Sequence, residues 1–178
     1  MTDPIADTRR WLERAVIGLN LCPFAKAVVA KDQVRFVLSD ATDPAQLLET
    51  LGEELVHLRN SDPGALDTTL IVHPHVLQDF LDYNDFLDAA DALLEELGLE
   101  GVLQVASFHP RYQFADSDPD DVENCTNRSP FPTLHLLRED SVSRAVAAYP
   151  DPGVIVERNV QTLRTLGAAG WRRLLAED

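Results

Sequence analysis

The chain has 178 residues, enough for one domain that buries roughly 70% of its unfolded surface without disulfides or a structural metal. Thirty acidic residues against fifteen Lys and Arg give a net charge of -15, a field that repels nucleic acid phosphates and anionic membrane surfaces and excludes both as ready partners. No window approaches the run of about eighteen apolar residues that a membrane span needs, and Met1 to Arg10 lacks the apolar core of an export signal. A cytoplasmic protein is therefore expected, with Cys22 and Cys125 kept as thiols.

Asp7 to Leu19 sets Trp11, Ala15 and Leu19 at helical spacing, with Leu12 and Val16 beside them, and reads as an amphipathic helix that stops near Asn20. Pro23 suits the first position of a second helix running to about Ala30, which puts Cys22 at that helix's N-terminus. Val34 to Leu38 is the first strand, closed by the turn residues Ser39 to Pro44. Asp43 caps and Pro44 opens a helix whose Leu47, Leu51, Leu55 and Leu58 form one stripe, and Asn60 to Gly64 ends it. Thr68 to Val72 is an apolar run suited to a strand covered on both faces, with His73-Pro74-His75 at its end. Gln78 to Leu97 is a long helix with Phe80, Leu81, Leu87, Ala90, Leu94 and Leu97 inward, closed by Gly98. Val102 to Phe108 is the third strand, again followed by His-Pro at His109-Pro110. After a long polar excursion, Leu134 to Leu137 suits a strand better than a helical turn, because Asp140 or Ser141 offers a fresh N-cap for Val142 to Tyr149. Val154 to Leu166 and Ala169 to Leu175 read as closing helices, with Gly167 and Gly170 at their junction.

This order predicts an α/β fold: a small, largely parallel sheet of three to four strands, with a strand-helix-strand-helix-strand core and flanking N- and C-terminal helices. The alternative is a ferredoxin-like α+β sandwich. In open parallel sheets ligands sit beyond the carboxyl ends of the strands, where Ser39, Asp40, His73, His75, His109 and Arg111 fall.

The excursion within Gln104 to Arg138 carries most of the chemistry: His109, His135, Cys125, Arg111, Arg128 and Arg138. A loop of this length is usually functional or disordered, and Tyr112, Phe114 and Phe131 argue against disorder. The run ASFHPRYQF from Ala106, with NRSPFPTLHLLRED from Asn127 and LNLCPFA from Leu19, resembles the uncharacterised bacterial family catalogued as domain of unknown function 1415. The resemblance spans nearly the whole chain. It implies a bacterial, single-domain protein and brings no activity, substrate or catalytic residue with it.

The residues themselves support several chemistries. Arg111, Arg128 and Arg138, with Asn127 and Tyr112 among them, offer donors for the carboxylate or phosphate of a small anionic molecule; the alternative is that they pair with the acidic run Asp116 to Glu123. His73, His75 and His109 are ligand types for a divalent metal such as zinc, joined by Cys22, Cys125 or His135, although no CxxC or HExxH spacing supports a site and such histidines also cap backbone carbonyls. Asp116, Asp118, Asp120 and Asp121 begin like a calcium loop, but Asp121 and Asn127 stand where that loop needs glycine and glutamate. Cys22 at a helix start could be an activated nucleophile or a small core hydrophobe. Together these predict a small-molecule enzyme for hydrolysis or group transfer. Arg111 and Arg128 would bind an anionic substrate in a His/Arg-rich pocket at the strand ends, and His109, His135 and Cys22 would supply the catalytic groups. The competing reading is a non-catalytic ligand- or partner-binding module.

Overall fold

The computed structural model describes residues 3–176. Asp3 caps the first helix, its carboxylate accepting from the Ile5 and Ala6 amides, and α1 (Pro4–Trp11) runs straight into a π-helical segment, Leu12–Ile17. The sequence predicts a regular α-helix there. Then follow α2 (Ala25–Ala30), β1 (Val34–Leu38), α3 (Pro44–Asn60), β2 (Thr68–Val72), α4 (Phe80–Glu96), β3 (Leu103–Phe108), a 3-10 segment (Val122–Asn127), β4 (Thr133–Arg138), α5 (Glu139–Ala147) and α6 (Gly153–Ala176). Asp43 caps α3 through the Gln46 amide at 2.9 Å, with Pro44 fixing the first turn as expected. Asp79 caps α4 through the Leu81 amide at 2.8 Å, so that helix starts two residues later than its apolar pattern suggests. Gly167, at φ 69, breaks α6 where the two closing helices are predicted to meet. No helix among the described residues is long and apolar enough to cross a membrane.

The four strands form one open sheet in the order β1-β2-β4-β3. β1 and β2 are parallel, whereas β4 lies between β2 and β3 and runs antiparallel to both. The sheet is thus mixed, which corrects the largely parallel sheet expected from the sequence. The cause is the excursion, which returns the chain to the end of the sheet it left: Phe108, last in β3, is paired with Thr133, first in β4. A strand re-entering from that end can only run backwards.

Alternation along the strands gives the sheet two different faces. Ile71, Leu103, Leu134 and Leu136 point to α3 and α4 and meet Leu47, Leu51, Leu55, Leu58, Tyr83 and Leu94 in one apolar core. Each fully buried leucine there contributes about 2 kcal/mol. Arg35 of β1 forks onto Glu54 of α3 at 2.8 and 3.2 Å, and this partner raises the guanidinium pKa. On the opposite face, Val34, Phe36, Leu70 and Phe108 pack with Trp11, Leu12, Val16, Leu21, Leu163 and Trp171 from the N-terminal segment and α6. Asn159 of α6 ties that layer together by donating to the Leu21 carbonyl at 2.8 Å. This second layer does not cover the whole face.

Candidate functional site

Where cover is incomplete, a cleft of about 700 Å³ opens between the sheet, the N-terminal segment through α2, and α5. Its floor is the row of side chains that alternation turns away from α3 and α4: Thr68, Leu70, Gln104, Ala106, Phe108, His135 and Leu137. Trp11, Leu12 and Val16 of the α- to π-helical segment form one wall, with Cys22, Phe24 and Val28 above, and Ser141, Arg144 and Ala145 of α5 close the far side. Small residues leave the space open: Ala25, Ala27, Ala106 and Ala145 all line it. The volume falls in the range of small-molecule sites, and so does the pattern of apolar walls with a few polar groups.

His135 is the central polar group. Its Nε2 lies 2.6 Å from Oγ1 of Thr68, and that hydroxyl donates its single proton to the Leu136 carbonyl, also at 2.6 Å. Thr68 can therefore only accept from the ring, so Nε2 carries a proton. Burial pushes the His135 pKa down to about 4 against the opposing pull of Asp67, so the ring is neutral near pH 7 and Nδ1 keeps its lone pair. The only side-chain hydrogen bond of His135 among the described residues is the one through Nε2. Trp11 is 2% exposed and its Nε1–H also lacks a partner, although the ring packs edge-on against Phe108 at 5.1 Å. Phe108 in turn sits 5.8 Å from the His135 ring. At the rim, Ser141 donates to Asp67 at 2.5 Å and accepts from Arg144 at 3.2 Å.

Of the residues singled out from the sequence, His135 and Cys22 line this cleft together. Cys22 is half-buried in the turn before α2; Phe24, not Cys22, caps that short helix. His73 and His109 meet elsewhere, on the α4 side, where both pack on Tyr83 with ring centroids at 5.8 and 5.0 Å. They follow β2 and β3, which share a direction although β4 lies between them. His109 donates from Nε2 to the Leu77 carbonyl and accepts the Arg111 amide at Nδ1, both at 3.0 Å. His73 donates from Nδ1 to the Val76 carbonyl at 3.1 Å, leaving a buried Nε2 without a partner. Burial pushes His73 down to about 4, with the Val76 carbonyl opposing, and lowers His109 as well. His75 is exposed, and no three His, Cys, Asp or Glu side chains among the described residues are grouped to hold a metal, so the expected triad of His73, His75 and His109 does not assemble.

The arginines are also dispersed. Arg128 donates to the carbonyls of Tyr112 at 3.0 Å and Pro119 at 2.7 Å, pinning the excursion to itself and not to its acidic side chains. Arg138 reaches across to the carbonyls of Leu58, Ser61 and Leu66 at 2.8–3.1 Å, and so satisfies the end of α3. Asn127 donates to the Ser107 carbonyl at 3.1 Å, and Tyr112 packs between Phe80 and Phe114. Arg111 is exposed. Burial pushes the Cys125 thiol up despite the nearby Arg128. Trp11, Thr68, Gln104, Asp67, Ser141 and Arg144 also line the cleft, and no motif in the sequence marks them for it. One signal was available: alternation in Thr133 to Arg138 puts His135 on the face opposite Leu134 and Leu136.

Fold and cleft define a three-layered α/β protein with a mostly apolar chamber on one face of a mixed four-stranded sheet. The chain belongs to the family described as protein of unknown function (DUF1415), whose model matches residues 3–173. No curated protein and no solved structure matches it.

Proposed function

We propose that the protein binds a small, mostly apolar molecule in the cleft over its sheet. The observation that carries this reading is the cleft itself: about 700 Å³ walled by Trp11, Leu12, Val16, Leu70 and Phe108, with His135 on its floor. Filling such a space with an apolar ligand removes surface from water at about 25 cal/mol per Å². A cleft-filling substitution tests it. In Ala106→Phe, the new ring would occupy the floor beside His135. Isothermal titration with 2-naphthol and other two-ring aromatic compounds should show binding to the wild type and none to Ala106→Phe with its melting temperature retained. Equal binding by both proteins, or by neither, would remove the reading.

A second reading, a small-molecule enzyme working by hydrolysis or group transfer, rests on Cys22 and His135 lining one cleft. Its weakness is basicity. With His135 at about 4, taking a proton from a group of pKa near 10 costs about 8 kcal/mol, so the ring is a better hydrogen-bond acceptor than a base. Catalysis through the thiol requires Cys22 to alkylate at a rate that levels off below pH 8, and a rate still rising above that refutes it. Anion recognition by Arg111 and Arg128 finds less support, since Arg128 is engaged with two carbonyls.

A further inference from the structure

Among the described residues, Trp11 Nε1, Thr69 Oγ1 and His73 Nε2 have no hydrogen-bond partner and are sealed from solvent. Nδ1 of His135 differs from them. It too has no partner, since the ring's hydrogen bond leaves through Nε2, but it is not sealed. The half-buried ring stands on the cleft floor, with Leu70 and Ala106 beside it on the neighbouring strands, so the way to Nδ1 is through the cleft. Thr68 fixes its chemistry. That hydroxyl gives its proton to the Leu136 carbonyl and only accepts from Nε2–H, which leaves a lone pair on Nδ1. A lone pair selects for a donor and against another lone pair, and O–H and N–H serve it alike.

We propose, as a refinement that rests on the cleft reading above, that His135 sets the specificity of the cleft: the ligand is a neutral apolar molecule with an O–H or N–H that donates to Nδ1. An ether oxygen or a carboxylate brings only lone pairs to that nitrogen. An ammonium brings a donor, but the surroundings that hold the imidazole neutral against the pull of Asp67 disfavour a cation at the same spot. Sites built to hydrogen-bond one group of a ligand discriminate against analogues that lack it, because the site's own polar atom is then taken out of water and left unpaired.

The test uses two pairs in which methylation removes the donor, 2-naphthol with 2-methoxynaphthalene and indole with 1-methylindole, measured by isothermal titration. Wild type should bind the donor of each pair about five-fold or more tighter than its methylated partner, by similar factors in the two pairs. In His135→Phe, which keeps a ring on the floor but has no lone pair, both preferences should shrink to within about two-fold. Both 2-naphthoate and 2-naphthylmethylammonium should bind wild type about five-fold or more weaker than 2-naphthol. Should His135→Phe fail to fold, the nitrogen NMR signal of Nδ1 in the wild type decides: it should move toward the position of a protonated nitrogen with 2-naphthol and indole, and not with the methylated compounds. Equal wild-type affinity within either pair, a preference that survives His135→Phe, an Nδ1 signal that does not move that way, or a charged compound that binds as tightly as 2-naphthol overturns the specificity assignment while the cleft reading stands. Absence of binding by every compound overturns both.

Discussion

Lowering the pH from 7.5 to 5 should destabilise this protein through two histidines before its carboxylates matter. His73 and His135 are both pushed down to about 4 by burial. In the unfolded chain an imidazole takes up its proton near pH 6.5, whereas in the folded protein these two stay neutral until about pH 4. The unfolded state therefore binds more protons across that window, and stability is full above pH 6.5 and declines as pH falls toward 4. Each histidine should remove about 2 kcal/mol between pH 7.5 and 5, and about 3 kcal/mol once pH falls below 4. The assay is urea denaturation at several pH values for wild type and His73→Asn, whose amide nitrogen takes the place of Nδ1 and can still donate to the Val76 carbonyl. The variant should lose about 2 kcal/mol of the pH dependence over that window. Parallel stability curves for the two proteins, or NMR titration of His73 near 6.5 in the folded state, would refute the reasoning.

Tyr83 gives a prediction independent of pH. Its buried hydroxyl donates to the Thr133 carbonyl at 2.7 Å and accepts the Phe108 amide at 3.1 Å, joining β3 to β4 at the end where the excursion leaves and returns. Tyr83→Phe removes both bonds from a buried site and should cost about 2 kcal/mol in urea titration; a loss under about 0.5 kcal/mol would mean that these bonds are replaced at once.

The strands and helices were legible because their signals are local. The leucine stripe of α3, the cap Asp43, the break at Gly167 and the apolar run of β2 each need only a few neighbours to be read. The place of β4 needed more. Its short leucine-rich run marks a strand, but direction and slot depend on where a long irregular segment returns, and that path is held by non-local bonds such as Arg128 to Tyr112 and Asn127 to Ser107. The cleft was harder still, since its walls come from segments more than a hundred residues apart and its space comes from alanines, which carry no motif. The excursion drew attention for its arginines, asparagine and histidines. A segment without ladder hydrogen bonds must satisfy its carbonyls with side chains, so the same donor-rich composition serves an anion site or a self-bonded loop equally well.

The net charge of -15 bears on the choice between these two sites. An anionic ligand approaching this surface is repelled out to roughly 8–10 Å at physiological salt and needs local cations with free donors. Arg128 has its Nε and Nη2 engaged by carbonyls, Arg138 caps α3, and Arg144 shares Ser141 with Asp67. A neutral ligand crosses the same field without electrostatic work, and what it meets in the cleft is mostly apolar side chains around His135, with Lys31, Asp67 and Arg144 the charged groups of the lining. Acidity outside and a mostly apolar lining within thus both favour the proposed neutral ligand over a small anion.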